Sequence, residues 1–305
     1  MRVADRYELE AVIGQGGMGQ VWRATDAVLG RPVAVKLLKQ GRTGREAAAM
    51  FRREAQAAAV VNSPHVVGVH DFGPHNQSFY LVMELVVGNT LAAALQQFGP
   101  FSPPAAAEVV GQTADGLSAA HDQGVIHRDI KPSNLLMADD GTIKIADFGI
   151  ACFLNHSAED QVPQQGVLGT SYYLAPERAR AEPVGPAADI YSLGCVLYQL
   201  LTGAPPFLAD TPTGVLRQHL VGVPARPARV GSGFGRQLLR MLAKDPADRP
   251  DADEVAAWCR RISADHPAHP PADAELFAGP TTQLQTVSSR YERTSACQLS
   301  LKETV

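Results

Sequence analysis

The chain has 305 residues, 45% of them hydrophobic, with a formal net charge of −4 and a pI near 6.1. That length suggests about two globular units, and the mild acidity argues against nucleic-acid binding through bulk charge. No uncharged apolar run reaches the ~18 residues of a membrane span, and Met1–Glu8 lacks the apolar core of a signal peptide; the expectation is a cytoplasmic chain with no membrane span.

The cysteines, Cys152, Cys195, Cys259 and Cys297, make no Cys-x-x-Cys pair. Zinc and disulfide-framework readings are therefore weak, and a reducing compartment fits best. The cluster Lys36, Lys39, Arg42, Arg45, Arg52 and Arg53 reads as a solvated basic face around one helix.

In chain order, Leu9–Ile13 and Val21–Ala24 are predicted strands flanking Gly14-Gln15-Gly16-Gly17-Met18-Gly19-Gln20-Val21. A dinucleotide-binding glycine loop leads from a strand into a helix. Here the chain continues as a strand, which leaves a phosphate-covering clasp or a plain hairpin turn. Val33–Leu38 is the third strand. Its alternation points Val33, Val35 and Leu37 one way and Ala34, Lys36 and Leu38 the other. Ala34 leaves room for a flat ligand, and Lys36 on an apolar strand needs an anionic partner. Gly44–Val61 is predicted helical, with Phe51, Glu54, Ala58 and Val61 on one stripe. Glu54 then faces the core as the partner of Lys36; a solvent salt bridge at the helix edge is the alternative.

Val66–Asp71 and Phe79–Glu84 complete the strand-rich half. From about residue 90 the chain turns helical, at Ala105–Gln123, Asp189–Thr202, Phe234–Ala243 and Ala252–Ile262. A hairpin of Leu135–Met137 and Thr142–Ile145 turns at Asp140-Gly141. Strands followed by helices predict an α+β, two-lobed fold. The expected boundaries are 1–86, 87–265, and a disordered Pro/Ser/Thr-rich tail at 266–305.

The densest chemistry is His127-Arg128-Asp129-Ile130-Lys131-Pro132-Ser133-Asn134 followed by Asp147-Phe148-Gly149. Asp129 can take a proton from a hydroxyl. Asn134 and Asp147 are hard oxygen ligands of the kind Mg²⁺ prefers. Lys131 brings positive charge where a phosphoryl group carries negative charge. This inventory suits phosphoryl transfer, in which positioning and charge stabilisation supply most of the catalysis.

Taken together, the glycine loop, Lys36, Glu54, the His-Arg-Asp loop, Asp147-Phe148-Gly149 and Ala175-Pro176-Glu177 resemble the protein-kinase signature set in chain order. The resemblance spans about residues 7–262. The Phe51–Ala55 and Asp189–Gly194 wording is similar to bacterial, PknB-type serine/threonine kinases. It implies a strand-rich lobe with one helix and a mainly helical lobe. ATP would sit against Ile13, Gly14, Gln15, Gly16, Gly17, Met18, Gly19, Gln20, Val21, Ala34 and Lys36, with Met83 behind the adenine and backbone groups of Glu84 and Val86 at its edge. Asn134 and Asp147 would hold Mg²⁺, with Mn²⁺ as the alternative ion. Asp129, Lys131, Lys36 and Glu54 would be the catalytic set. Asp189 would brace the His-Arg-Asp loop, and Glu177 would pair with Arg249. Lys131 and Thr170 imply protein substrates with Ser/Thr acceptors and autophosphorylation, and relatives often form homodimers through the strand-rich lobe.

The activation segment departs from that pattern. Val162-Pro163-Gln164-Gln165 stands where bacterial relatives carry phosphorylated threonines, and the one hydroxyl between 150 and 168 is Ser157. Either Glu159 or Asp160 replaces the phosphate opposite Arg128, or Ser157 or Ser171 accepts it. A pseudokinase-type nucleotide-binding scaffold is the competing function; retention of Lys36, Asp129, Asn134 and Asp147 weighs against it. A small-molecule phosphotransferase is disfavoured by Ala175-Pro176-Glu177.

Overall fold

The computed structural model describes residues 1–16, 19–38, 52, 55–76, 78–148, 171–227 and 230–265. The first half is an antiparallel sheet of β1 (Arg2–Val3), β2 (Tyr7–Gly16), β3 (Gly19–Asp26), β4 (Arg31–Leu38), β5 (Val69–His75) and β6 (Ser78–Met83), ordered β1-β2-β3-β4-β6-β5. Period-2 alternation splits it into two apolar faces. Val33 and Val35 pack with Tyr7, Ala24, Tyr80 and Val82 on one side. Ala34 and Leu38 pack with Ala55, Val67, Leu81 and Met83 on the other. Lys36 emerges on this second face, 4% exposed.

The strand expected at Val66–Asp71 begins three positions later than read, at Val69. Val66 is diverted into a parallel bridge with Ile145. Of the helix expected at 44–61, residues 52 and 55–60 are helical; Phe51 and Glu54 lie outside the described residues. The tail at 266–305 lies outside them too.

The second half is helical: α1 (Leu91–Phe98), α2 (Pro103–Asp122), α3 (Pro176–Ala179), α4 (Ala187–Thr202), α5 (Pro212–Val221), α6 (Ser232–Met241) and α7 (Ala252–Asp265). A small sheet of β7 (Gly88–Thr90), β8 (Leu135–Ala138) and β9 (Ile143–Ile145) joins them. Ser102 starts α2 by accepting the Ala105 N–H, with Pro103 at the first turn. α2 and α4 are buried along much of their length, and both contribute to the main core. The fold is the two-lobed, strand-then-helix arrangement the sequence implied.

One buried ion pair ties the helical half together. Arg249 Nη1 and Nη2 reach Glu177 Oε1 and Oε2 at 2.7 and 2.8 Å. Arg249 also donates to the carbonyls of Ala243 at 2.8 Å, Lys244 at 3.2 Å and Ala187 at 2.8 Å. Removing one partner strands the other charge unpaired in a buried site, at a cost of about 3–5 kcal/mol. Arg249→Ala is therefore expected to lower the melting temperature sharply. An unchanged melting curve would sink this assignment.

His219 on α5 is fully buried against Tyr191 and Phe207 and accepts the Tyr191 hydroxyl at Nδ1 over 2.9 Å. Burial, then the Lys244 ammonium, pushes the imidazole down from 6.5 to about 4. Between those values the unfolded chain binds more protons at this position than the folded one, so stability present above pH 6.5 falls as pH approaches 4. His219→Gln should flatten that acid limb, read as urea midpoints across the same window. An unaltered limb would exclude His219 as its source.

Candidate active site

The His127–Asn134 loop has an organised interior. Asp129 Oδ2 accepts Lys131 Nζ at 2.8 Å and Asn134 Nδ2 at 3.0 Å. Asn134 Nδ2 also donates to the Asp129 carbonyl at 2.8 Å. Pro132 opens a short 3₁₀ turn, Pro132–Asn134, which folds Asn134 back towards Asp129. The three side chains that sequence chemistry singled out are thus in direct contact.

Backbone strain in this loop is balanced by a single acid. Arg128 has φ of 67°, an uncommon conformation for a non-glycine residue. Asp189, fully buried on the first turn of α4, accepts the Arg128 N–H at 2.7 Å and the His127 N–H at 2.8 Å. His121 Nε2 approaches the same carboxylate at 2.9 Å. The Arg128 carbonyl accepts a bond from the Arg178 guanidinium.

His127 links the loop to the strand that carries Asp147. Its Nδ1 accepts the Asp129 N–H at 3.1 Å, which leaves Nε2 as the donor to the Ala146 carbonyl at 2.9 Å. The Ala146 N–H in turn donates to the Asn134 carbonyl at 2.8 Å. The Phe148 ring meets the His127 ring edge to face at 4.6 Å. Held on both sides, the chain turns at Asp147, whose φ is 65°. There Asp147 Oδ1 accepts Lys36 Nζ at 2.7 Å, across the two halves of the fold.

Lys36 therefore has Asp147 as a partner among the described residues. Glu54, the partner expected from the helix stripe, lies outside them, as do Gly17, Met18 and Thr170. Ser171 is 2% exposed.

The glycine clasp closes as a strand pair, Gln15 opposite Gln20 and Gly16 opposite Gly19. Gly19 has φ of 152°, and a Cβ there would sit 2.0 Å from the Leu37 carbonyl oxygen, so β3 can approach β4 this closely only with glycine. Ile13 is 37% exposed at the open side of the clasp.

An apolar cluster lies on the same face of the sheet as Lys36. Ala34 pairs with Met83 across β4 and β6. Val21, Val86, Leu136 and Ala146 pack on the cluster that contains Ala34 and Met83. Sequence reasoning missed Leu136 and Ala146. The alternation of β8, in which Leu135 and Met137 are buried and Leu136 is not, was the available signal. The Glu84 N–H is bound to the Gly68 carbonyl at 2.8 Å, so the backbone group Glu84 can still offer is its carbonyl.

The donor set fits a hard divalent cation. Asn134 commits its amide nitrogen to Asp129, which leaves an amide oxygen. Asp147 commits Oδ1 to Lys36, which leaves Oδ2. Two such oxygens need ligand oxygens or water to complete a shell, as Mg²⁺ sites on phosphates commonly do. No group of three His, Cys, Asp or Glu side chains forms a separate metal centre among the described residues.

The protein kinase domain family matches residues 7–258. The chain is 39% identical over 309 residues to a serine/threonine-protein kinase PknB of Mycolicibacterium smegmatis, covering 92% of this chain and 49% of that protein. It is 40% identical over 286 residues to a serine/threonine-protein kinase PknB of Mycobacterium tuberculosis, covering 90% and 46%. A probable serine/threonine-protein kinase PknB of Corynebacterium glutamicum is 39% identical over 284 residues, at 88% and 44%. The chain thus spans just under half the length of these curated relatives.

Asp189→Asn tests the brace. The amide would set an N–H₂ group against one of the two backbone donors, losing a charged hydrogen bond and leaving that donor unpaired, about 3 kcal/mol in all. The expected result is a lowered urea midpoint. A variant as stable as the parent would mean the loop holds its shape without Asp189.

Proposed function

The chain belongs to the protein kinase family, and from that premise we propose that it transfers the γ-phosphoryl group of ATP to serine and threonine hydroxyls of proteins, itself included. The observation that carries the reading is the Asp129 carboxylate held between Lys131 and Asn134, at 2.8 and 3.0 Å, in a loop braced from α4.

Asp129 orients the acceptor hydroxyl and takes its proton. Its exposure is low enough to limit competing water, with 11% of the side chain accessible. Lys131, beside it, offsets charge that builds on the phosphoryl oxygens as the bond to the leaving oxygen lengthens. Lys36 and the backbone N–H groups of the Gly14–Gly19 clasp hold the nucleotide phosphates. Ala34, Val21, Met83, Leu136 and Ala146 sandwich the base, and the Glu84 carbonyl and Val86 backbone read its edge. Glu54 is the second anion for Lys36. Mg²⁺, or Mn²⁺ in its place, would be held by Asn134 and Asp147 and would neutralise phosphate charge. In this reading 1–86 and 87–265 are the two lobes that close on the nucleotide.

Two further readings accompany it. The unpaired buried thiols Cys195 and Cys259 suit a reducing, cytoplasmic setting. Among the described residues no helix is long and apolar enough to cross a membrane. Val28 and Leu29, 70% and 59% exposed at the β3–β4 turn, are apolar surface suited to a homodimer contact through the strand-rich lobe.

The test is to incubate the purified chain with ATP and Mg²⁺ and to map masses on peptides, with Asp129→Asn alongside. The parent should gain phosphate on Ser or Thr, and the variant should be slower by about 10²–10⁴. Equal phosphate on both, or none on the parent with any protein acceptor, would overturn the proposal. Absence of an ATP-induced rise in melting temperature as well would exclude the scaffold reading.

A further inference from the structure

One charged pair outside the catalytic set joins the nucleotide slot to the metal-ligating carboxylate. Lys144 Nζ lies 3.0 Å from Glu84 Oε1 and 3.1 Å from Oε2. The two side chains are 17% and 34% exposed, so the contact is shielded more than a surface ion pair. Glu84 Oε2 also accepts the Gly68 N–H at 3.3 Å, while the Glu84 N–H returns to the Gly68 carbonyl at 2.8 Å. The Glu84 carboxylate is thus fixed from two directions.

Lys144 occupies the middle of β9, directly opposite Leu136, which packs on the Ala34–Met83 cluster. Its neighbour Ile145 is stitched to the 65–67 connection by N–H···O bonds of 2.9 Å in both directions, with His65 and Val67. Two residues after Ile145 the chain reaches Asp147, which returns to Lys36 at 2.7 Å. Lys36 stands on β4, and β4 pairs with β6 through Ala34 and Met83, next to Glu84. The contacts close a ring: Glu84, Lys144, β9, Asp147, Lys36, β4, β6 and back to Glu84.

We propose that Glu84 and Lys144 are positioning residues that fix the Asp147 carboxylate relative to the base-binding edge, so that nucleotide and divalent cation bind in one register. The pair touches neither phosphate nor metal; it acts by holding β9 against the segment that reads the base. The inference rests on the nucleotide-binding reading above. Without the Lys144–Glu84 contact, β9 keeps its backbone bonds to 65–67 but loses its tie to the residue at the base edge. Asp147 then samples a wider range of positions, and ligands that must be met together are met less often. A merely structural pair would alter the stability of the free chain and leave this coupling untouched.

The experiment uses the full chain with Lys144→Met, Glu84→Gln, and the reversed double variant Glu84→Lys/Lys144→Glu. Two readouts are taken. One is the extra rise in melting temperature that Mg²⁺ adds to the rise produced by ADP. The other is KM for ATP and the half-saturating Mg²⁺ concentration against kcat. Lys144→Met, outside the binding set, should raise KM and the Mg²⁺ midpoint about three- to tenfold, the scale of one partly shielded charged contact, with kcat little changed, and Glu84→Gln should raise the Mg²⁺ midpoint to a similar degree. The Mg²⁺-dependent rise should shrink, and the reversed pair should recover most of the loss. Unchanged midpoints in folded single variants, or a reversed pair no better than the singles, would overturn the proposal. Should Lys144→Met fail to fold, Glu84→Gln reads the same coupling with its backbone contacts in place. A parent chain that binds no nucleotide fails the functional reading instead, which the ADP melting curve reports separately.

Discussion

The loop that carries Asp129 depends on a buried carboxylate from a distant helix, Asp189. A fully buried Asp189 is costly to desolvate unless its oxygens are paired. The loop supplies two backbone N–H donors at 2.7 and 2.8 Å, and His121 a ring nitrogen at 2.9 Å. The exchange runs both ways. Arg128 sits at φ 67°, a conformation that costs about 1–3 kcal/mol on its own and persists only where neighbours over-determine it. The acid needs donors, and the strained backbone turns its donors to face the acid. Asp189 also lies in the first turn of α4, where the helix N-terminus favours negative charge.

From that brace the geometry passes outward by short steps. His127, fixed through its backbone, spends both ring nitrogens on the Asp129 N–H and the Ala146 carbonyl. Ala146 is thereby fixed from the loop side, and Asp147 follows it into the cleft at φ 65°. Lys36 reaches Asp147 across the strand-rich and helical halves, as Lys144 does to Glu84. A cation 4% exposed on an apolar strand face, as Lys36 is, must find an anion, so its contact with Asp147 ties the two halves together.

Much of this was legible in the sequence, for reasons that differ by residue. Lys36 was placed by period-2 alternation, because a strand whose two faces are both covered must send successive side chains into different clusters. Asp129, Lys131 and Asn134 were legible because a tight turn forces short-range neighbours together. Leu136, Ala146 and Lys144 were not, since their partners on β4, β6 and the 84–86 segment are far away in the chain, and spacing carries no record of sheet pairing at that range. The strand read at Val66–Asp71 slipped because Val66 found a better bridge with Ile145, a tertiary contact that overrides local β-propensity. α1 and α5 were overlooked as well. Each is short, and α5 carries Gly214 inside its first turns, which weakens its intrinsic signal. Their caps, Thr90 and Thr211, were the sign that could have found them.

The start of α4 organises more than the catalytic loop. Arg249, besides binding Glu177, donates to the Ala187 carbonyl at 2.8 Å, two positions before Asp189. Ser192, one turn on from Asp189, donates to the Tyr173 carbonyl at 2.7 Å. Residues three apart on a helix share a side, so Asp189 and Ser192 present adjacent anchors, one to the loop carrying Asp129 and one to the chain leading into Glu177. Glu177 is then locked by Arg249, which is itself hung from α4. The loop carrying Asp129 and the segment running from Tyr173 to Glu177 are therefore indexed to the same two helical turns. Asp189 and Ser192 on α4 thus hold the Asp129 loop and the chain leading into Glu177 in register with each other.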